Sequence, residues 1–287
     1  MLDSMYQWAE NQVAIMLKTA VLMHSDFPKD CRDDPFGITS HWVDQLTVRR
    51  VKQMSSHQSS TDNDDDDDDT SPAGLCIPPE QSGDGRYLLV VNECDYSPRN
   101  YFTLLHELGH YLQRTSLDLW SNLFAFDDRA TAKEAEEFAC NLFASKALMP
   151  DSLFAKFMAG RWTAEAAALA YKESRASRPA AVRRVALLLP KGSWLTLIDP
   201  NTDTMKIRAH ANGINEYKTS PLDIELLALR KFHDTYRGNS VIVEQTFTDL
   251  SGNDLHGRYT ISVALSPSSK DEPFWFIMGR RQPETAQ

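Results

Sequence analysis

Cysteine is scarce in this 287-residue chain: four residues, Cys31, Cys76, Cys94 and Cys140, with no C-x-x-C pair among them. A disulfide scaffold is thereby excluded, and no paired thiolate spacing is left for a structural zinc site. Reduced thiols in a cytoplasm are expected. No apolar run approaches the roughly 18 to 20 residues of a membrane-spanning helix, and Met1-Leu2-Asp3-Ser4 lacks the basic start of a secretory signal. A soluble cytoplasmic protein without membrane contact follows as the expectation. Internal repeats are also missing. Basic residues are in the minority, 30 against 40 acidic, and the net charge of −10 argues against a protein that coats nucleic acid or anionic lipid. That deficit is local, however. Asp62 and Asp64 to Asp69 hold seven of the 40 acids, and without them 30 basic side chains face 33 acidic ones.

An apolar fraction of 42% supports real cores, and the length allows two domains. Met5, Ala9, Val13, Met16, Leu17, Ala20 and Val21 recur at three- and four-residue intervals, which marks an opening amphipathic helix. A shorter helix is expected around 40–48. From about 54 to 79 the composition turns to Ser, Asp, Asn, Thr and Pro, an inserted loop with little to bury. A strand-like run at 86–92 precedes helical stretches at 101–114 and 131–148, the second closed by Met149-Pro150. Two short helices, 163–171 and 178–189, lead to β-type runs at 194–198, 205–209, 240–247, 259–265 and 274–279, with one helix at 223–236. The change of period near 190 predicts a second, α+β domain.

His106-Glu107-Leu108-Gly109-His110 carries the chemistry. Residues four apart on a helix project from one face, so both imidazoles can reach a single ion. Glu107 stands beside the first ligand, where its carboxylate reaches water held by the metal. Zinc lowers the pKa of such water to about 7, and the carboxylate takes its proton as it attacks a polarised carbonyl. Phe102, Leu105, Leu108, Gly109 and Leu112 give the helix an apolar body suited to a buried position. A catalytic zinc takes three protein ligands and keeps one position open. The acids of Glu134-Ala135-Glu136-Glu137 supply candidates for the third, and helical phase leaves both Glu137 and Glu134 open. Two imidazoles and a carboxylate suit zinc, manganese and iron alike.

The run Phe102 to Leu112, together with Glu137-Phe138-Ala139-Cys140-Asn141-Leu142-Phe143-Ala144 and Leu148-Met149-Pro150, closely resembles the ImmA/IrrE metallopeptidases. In that family the two helices read F-T-L-A-H-E-L-G-H-Y-L and E-x-x-A-N-x-F-A-x-x-L-L-M-P. Leu105, Cys140 and Ala147 depart from the pattern, none at a ligand position. The resemblance implies that His106, His110 and Glu137 hold Zn2+ or Mn2+, that Glu107 is the general base, and that the fold is α+β. It implies a mainly helical zincin-like domain with a small sheet over 1–150, a helix-turn-helix-like segment over 151–189, and an α+β GAF-like sensor domain over 190–287. The layout is similar to that of radiation-response regulators of the same family. Its implied activity is site-specific cleavage of an Xre-type helix-turn-helix repressor, releasing genes of a stress or DNA-damage response.

Other readings bear on partners. Lys172, Arg175, Arg178, Arg183 and Arg184, with only Glu173 among them, give a local charge of +4. The expectation is that this segment docks protein substrate or meets solvent rather than binding DNA. The C-terminal domain is expected to take a small molecule or signal that gates the peptidase. A non-proteolytic DNA-binding regulator, and a peptidase of a mobile element or phage-defence system, are the alternatives; an intact Glu107 argues against the first, since a structural metal site needs no base.

Overall fold

The computed structural model describes residues 2–52, 73–94, 97–158, 162–217, 219–235, 245–248, 258–266 and 273–281. The Asp62 to Asp69 run lies outside them. The chain divides into two compact units, Met1–Leu148 and Met149–Gln287.

In the first unit α1 (Leu2–Met23) and α2 (Phe27–Asp33) are followed by a 3-10 helix, Pro35–His41, and then β1 (Leu46–Lys52). Next come β2 (Gly74–Ile77), the one-turn α3 (Pro79–Ser82) and β3 (Tyr87–Glu93). The unit ends with α4 (Ser97–Thr115), α5 (Leu117–Asn122), a 3-10 turn at Leu123–Ala125, and α6 (Arg129–Leu148). The sheet has the order β1-β3-β2, with β1 parallel and β2 antiparallel to the central β3. Helix α4 lies on β3 and β2 and also packs against α6, with α1 across α6. Of the expected apolar stripe of α1, Ala9, Val13, Met16 and Ala20 are fully buried and Met5 and Leu17 half-buried, whereas Val21 is exposed. Each large side chain among them contributes about 1.5–3 kcal/mol by leaving water.

Two expectations fail here. The helix expected around 40–48 is instead the end of the 3-10 helix and the start of β1. Strand wins because the β3 backbone pairs with it along its length, from Leu46↔Tyr87 to Lys52↔Glu93, and the β-branched Thr47, Val48 and Val51 suit that pairing. The loop read as running to 79 gives way at Gly74 to β2, whose pairing with β3 (Gly74↔Val91 to Ile77↔Leu88) was invisible in a four-residue stretch.

The second unit begins with α7 (Asp151–Met158), α8 (Ala164–Glu173) and α9 (Arg178–Ala186). Thr163 and Ser177 cap α8 and α9 by accepting the backbone N–H of Ala166 and Ala180. Then come β4 (Trp194–Ile198), β5 (Met205–His210), β6 (Asn215–Tyr217), α10 (Asp223–Thr235), β7 (Gln245–Thr248), β8 (Arg258–Leu265) and β9 (Trp275–Arg281). The six strands form one antiparallel sheet in the order β6-β5-β4-β9-β8-β7. Ile224, Ala228, Leu229 and Phe232 of α10 share a core with Trp194, Ile261, Val263, Trp275 and Ile277. Helices α8 and α9 also lie against the sheet, and the alternation of β9 turns Phe276 toward Tyr171 of α8 at 5.9 Å while Trp275 meets Phe232 of α10.

The packing of α9 changes the meaning of the basic cluster. Arg178 and Arg184 are buried: Arg184 pairs with Asp151, and Arg178 lies over the Phe274 ring at 4.1 Å. The Arg183 side chain donates to the Tyr217 hydroxyl at 2.9 Å. Lys172 and Arg175 are exposed. Among the described residues no helix is long and apolar enough to cross a membrane.

Candidate metal centre

Helix α4 is the central element of the first unit, buried at Leu104, Leu105, Leu108 and Leu112. His106 and His110 stand one turn apart on it. Between them Gly109 faces α6: a Cβ there would lie 3.2 Å from Cα and Sγ of Cys140 and from Cε of Met16, so only glycine lets the helices come this close without displacement. The approach brings Glu137 of α6 to both imidazoles. Its Oε2 is 3.3 Å from Nε2 of His106 and 3.5 Å from Nε2 of His110, and the two Nε2 atoms are 3.1 Å apart. Donors held about 2.1 Å from one tetrahedral ion stand about 3.4 Å from each other. The triangle therefore has the dimensions of a divalent-ion site.

Outer partners fix which nitrogens face inward. Nδ1 of His106 is 3.0 Å from Oδ1 of Asn141, and Nδ1 of His110 is 2.7 Å from Oε1 of Glu136. Both partners are acceptors, so each Nδ1 carries a proton and donates it, and each Nε2 is left to offer its lone pair when an ion takes the place of a proton there. Two lone pairs and a carboxylate then converge on one point, an arrangement that calls for positive charge between them. Burial works against a charged His110, yet hydrogen bonding to Cys140, Glu136 and Glu137 outweighs it and pushes that imidazole up to about 12. Hydrogen bonds from His106 and His110 hold Glu137 far below the usual carboxylate range. Both shifts express the same demand for a cation. The donor set and its spacing fit a zinc-like ion.

Glu107 is buried, 6% exposed, and lies under the edge strand β2. A Cβ on Gly74 would be 2.7 Å from its Oε1 and 2.6 Å from Cγ2 of Thr103, so the strand passes directly over the carboxylate. Burial raises the Glu107 pKa, and the neighbouring imidazoles only partly oppose this. The result is a carboxylate better suited to taking a proton near neutral pH. Arg114, on the last turn of α4, donates to the Cys76 carbonyl of β2 at 2.9 Å and approaches Glu136 at 3.6 Å, joining strand and outer shell. Exposure rises from 7% at the His110 side chain through 16% at His106 to 43% at Glu137, so the centre opens to solvent on the α6 side.

The structure thus brings together His106, His110 and Glu137. Glu134, the other acid left open by helical phase, is exposed and outside this cluster. Sequence reasoning missed the roles of Glu136, Asn141 and Gly74. Asn141 and Glu136 sit in the same helix as the third donor; Asn141 matches the asparagine of the family pattern, and the signal for Glu136 was the possibility that a histidine ligand needs an acceptor behind it. Thiols take no part in the triangle; all four cysteines are reduced, and burial pushes Cys76 up to about 11.

Residues 49–184 match the family described as peptidase M78, the IrrE N-terminal-like domain. This segment is similar to the IrrE N-terminal-like family. The resemblance read from α4 and α6 is borne out by that match, and with it a domain of a metal-dependent peptidase family. The IrrE-like segment begins within β1, contains both helices of the metal centre, and ends within α9. No curated protein matches the chain. A solved structure described as a Mycobacterium tuberculosis transcriptional regulator is similar at 13% identity, with a TM-score of 0.48 over 96% of this chain and 76% of that one.

Proposed function

We propose that the chain is a metal-dependent endopeptidase in which His106, His110 and Glu137 hold Zn2+ or Mn2+ and Glu107 is the general base. The observation that carries this reading is the inward convergence of two Nε2 lone pairs and one carboxylate oxygen within 3.5 Å of each other. An ion held there supplies Lewis acidity, polarising a carbonyl and acidifying water. Glu107 takes the proton of the attacking water and passes it to the leaving amine nitrogen, completing peptide hydrolysis without net proton change. Asn141 and Glu136 keep the imidazoles in the tautomer that faces inward. Edge strand β2 lies over Glu107 and offers backbone groups to an extended peptide, which suits a polypeptide substrate.

The family resemblance extends the reading to a substrate: an Xre-type helix-turn-helix repressor in the cytoplasm, whose cutting derepresses a stress or DNA-damage response. The second unit, a six-stranded antiparallel sheet with helices against it, supports a GAF-like sensor that takes a signal or small molecule. Helices α8 and α9 form the helix-turn-helix-like part of this proposal. Full-length protein loaded with zinc or manganese is incubated with Xre-type repressors encoded beside it, and the products are read by mass spectrometry. One discrete cut, abolished by chelation and by Glu107→Gln, is expected. Intact repressors with every metal tried would refute the substrate assignment.

A further inference from the structure

At the corner where α1 ends, three side chains of the first unit meet that the peptidase centre does not use. His24 follows the last residue of α1 and its N–H closes that helix on Ala20 O at 2.9 Å; Asp30 is on α2, and His41 ends the 3-10 helix. Nε2 of His24 is 2.8 Å from Oδ2 of Asp30, and Nε2 of His41 is 3.7 Å from the same oxygen. One donor atom from each lies within 4.8 Å of the others. The two imidazoles stack with centroids 3.5 Å apart and planes 13° from parallel, and Trp42 meets His24 edge-on at 6.3 Å.

A hydrogen-bonded His–Asp pair would account for His24, which is 6% exposed, but not for His41. An imidazole at 45% side-chain exposure can turn to water; here it lies on a second imidazole with its Nε2 toward the shared carboxylate. Two positive charges at this separation would repel each other. A divalent ion can serve both as neutral ligands once the exposed His41 ring turns out of the stack to aim its lone pair at the ion, as the rings of His106 and His110 stand 4.9 Å apart and 75° from parallel. The spacings of 2.8 and 3.7 Å bracket the roughly 3.4 Å expected between donors on one tetrahedral ion.

We propose that His24, Asp30 and His41 form a second metal site, for zinc or a similar divalent transition-metal ion by the chemistry of two imidazoles and a carboxylate. The ion ties the end of α1, α2 and the 3-10 helix into one corner and keeps its remaining positions for water on the His41 side. Its role is structural, and it stabilises the first unit because the unfolded chain has no preformed set of donors.

The test strips the full-length chain of metal, titrates it with zinc, and reads equivalents bound and Tm. Wild type takes two equivalents; His106→Ala/His110→Ala keeps one, His41→Ala/Asp30→Asn keeps one, and the fourfold variant keeps none. Zinc raises the Tm of His106→Ala/His110→Ala and leaves that of the fourfold variant unmoved. Should the Asp30 change prevent folding by circular dichroism, His41→Ala alone, at an exposed position, is read for the same loss. One equivalent that vanishes with His106→Ala/His110→Ala overturns the second site and leaves the peptidase centre intact. One that survives that pair and vanishes with the His41 change supports the second site and overturns the first. Zinc held by His106→Ala/His110→Ala with unchanged affinity after both corner substitutions refutes the proposal.

Discussion

Oε1 of Glu136 lies 2.7 Å from Nδ1 of His110, on the opposite side of the ring from the nitrogen that faces Glu137. Two consecutive glutamates of α6 therefore act on one histidine from its two edges, one as an inner donor and one as the acceptor that sets the tautomer. Glu136→Ala is expected to weaken zinc binding about 10- to 100-fold while leaving the fold intact, the size seen when a ligand's outer partner is removed. Glu136→Gln keeps an acceptor and loses less. A competition titration against a chelator measures this; equal affinities for wild type and Glu136→Ala would show that Glu136 merely packs.

Glu107 is buried and outside the ligand triangle. Glu107→Gln keeps size and burial but cannot take a proton, so peptide cleavage should fall by at least about 10²-fold with one equivalent of metal still in the centre. Metal content and single-turnover cleavage are measured on one preparation. Loss of metal together with activity would make Glu107 a ligand instead of a base.

Burial holds the Glu107 pKa above the ordinary carboxylate value, and only the ionised form accepts a proton. At saturating metal, kcat/KM should fall as pH drops through that raised value, about tenfold per unit below it. Metal uptake has the same sign for a separate reason. The His110 proton, held up to about 12 in the ion-free site, must leave when an ion binds, so affinity should rise about tenfold per pH unit across neutrality, with one proton released. Calorimetry in buffers of different ionisation enthalpy counts that proton. A count of zero would mean that His110 is already neutral in the ion-free site.

Much of the centre was legible because the helix converts spacing into geometry: His106 and His110 share a face by number alone. Glu137 needed more, since phase left Glu134 equal to it; the family resemblance pointed to Glu137, and the packing of α4 on α6 at Gly109 brings it to the imidazoles. The acceptors behind the rings were hidden for a related reason, as nothing local says which partner an Nδ1 will meet across two helices. The fold shows the same divide. Helices with an apolar stripe, α1 and α4, stood out, whereas β1 and β2 exist through pairing with β3 and carry little pattern of their own.

Gly74 tests how strictly β2 is placed over the base. A methyl there would meet Thr103 and Glu107 at under 3.0 Å, so strand or carboxylate must move. Gly74→Ala is expected to cost about 1–3 kcal/mol of stability and to lower kcat more than it changes metal affinity. Melting and cleavage are both measured. Wild-type kcat in this variant would mean that β2 does not position the base.

The basic cluster of α8 and α9 makes the opposite kind of prediction, an effect that should be small. Lys172, Arg175, Arg178, Arg183 and Arg184 sum to five positive charges in sequence, but Arg178 and Arg184 are buried and Arg184 is neutralised by Asp151. Three remain for phosphates, and Glu173 stands among them, itself paired with Lys156. Binding that neutralises Z phosphates weakens with salt at a log–log slope of about −0.9Z, so any duplex binding through this segment should show a slope no steeper than about −3. Between 50 and 200 mM salt that is a loss of roughly 40-fold, against 10³- to 10⁵-fold for proteins making 6 to 10 phosphate contacts. Fluorescence anisotropy with labelled duplex across that range measures it. A slope of about −6 or steeper would require a phosphate-binding surface that α8 and α9 do not present.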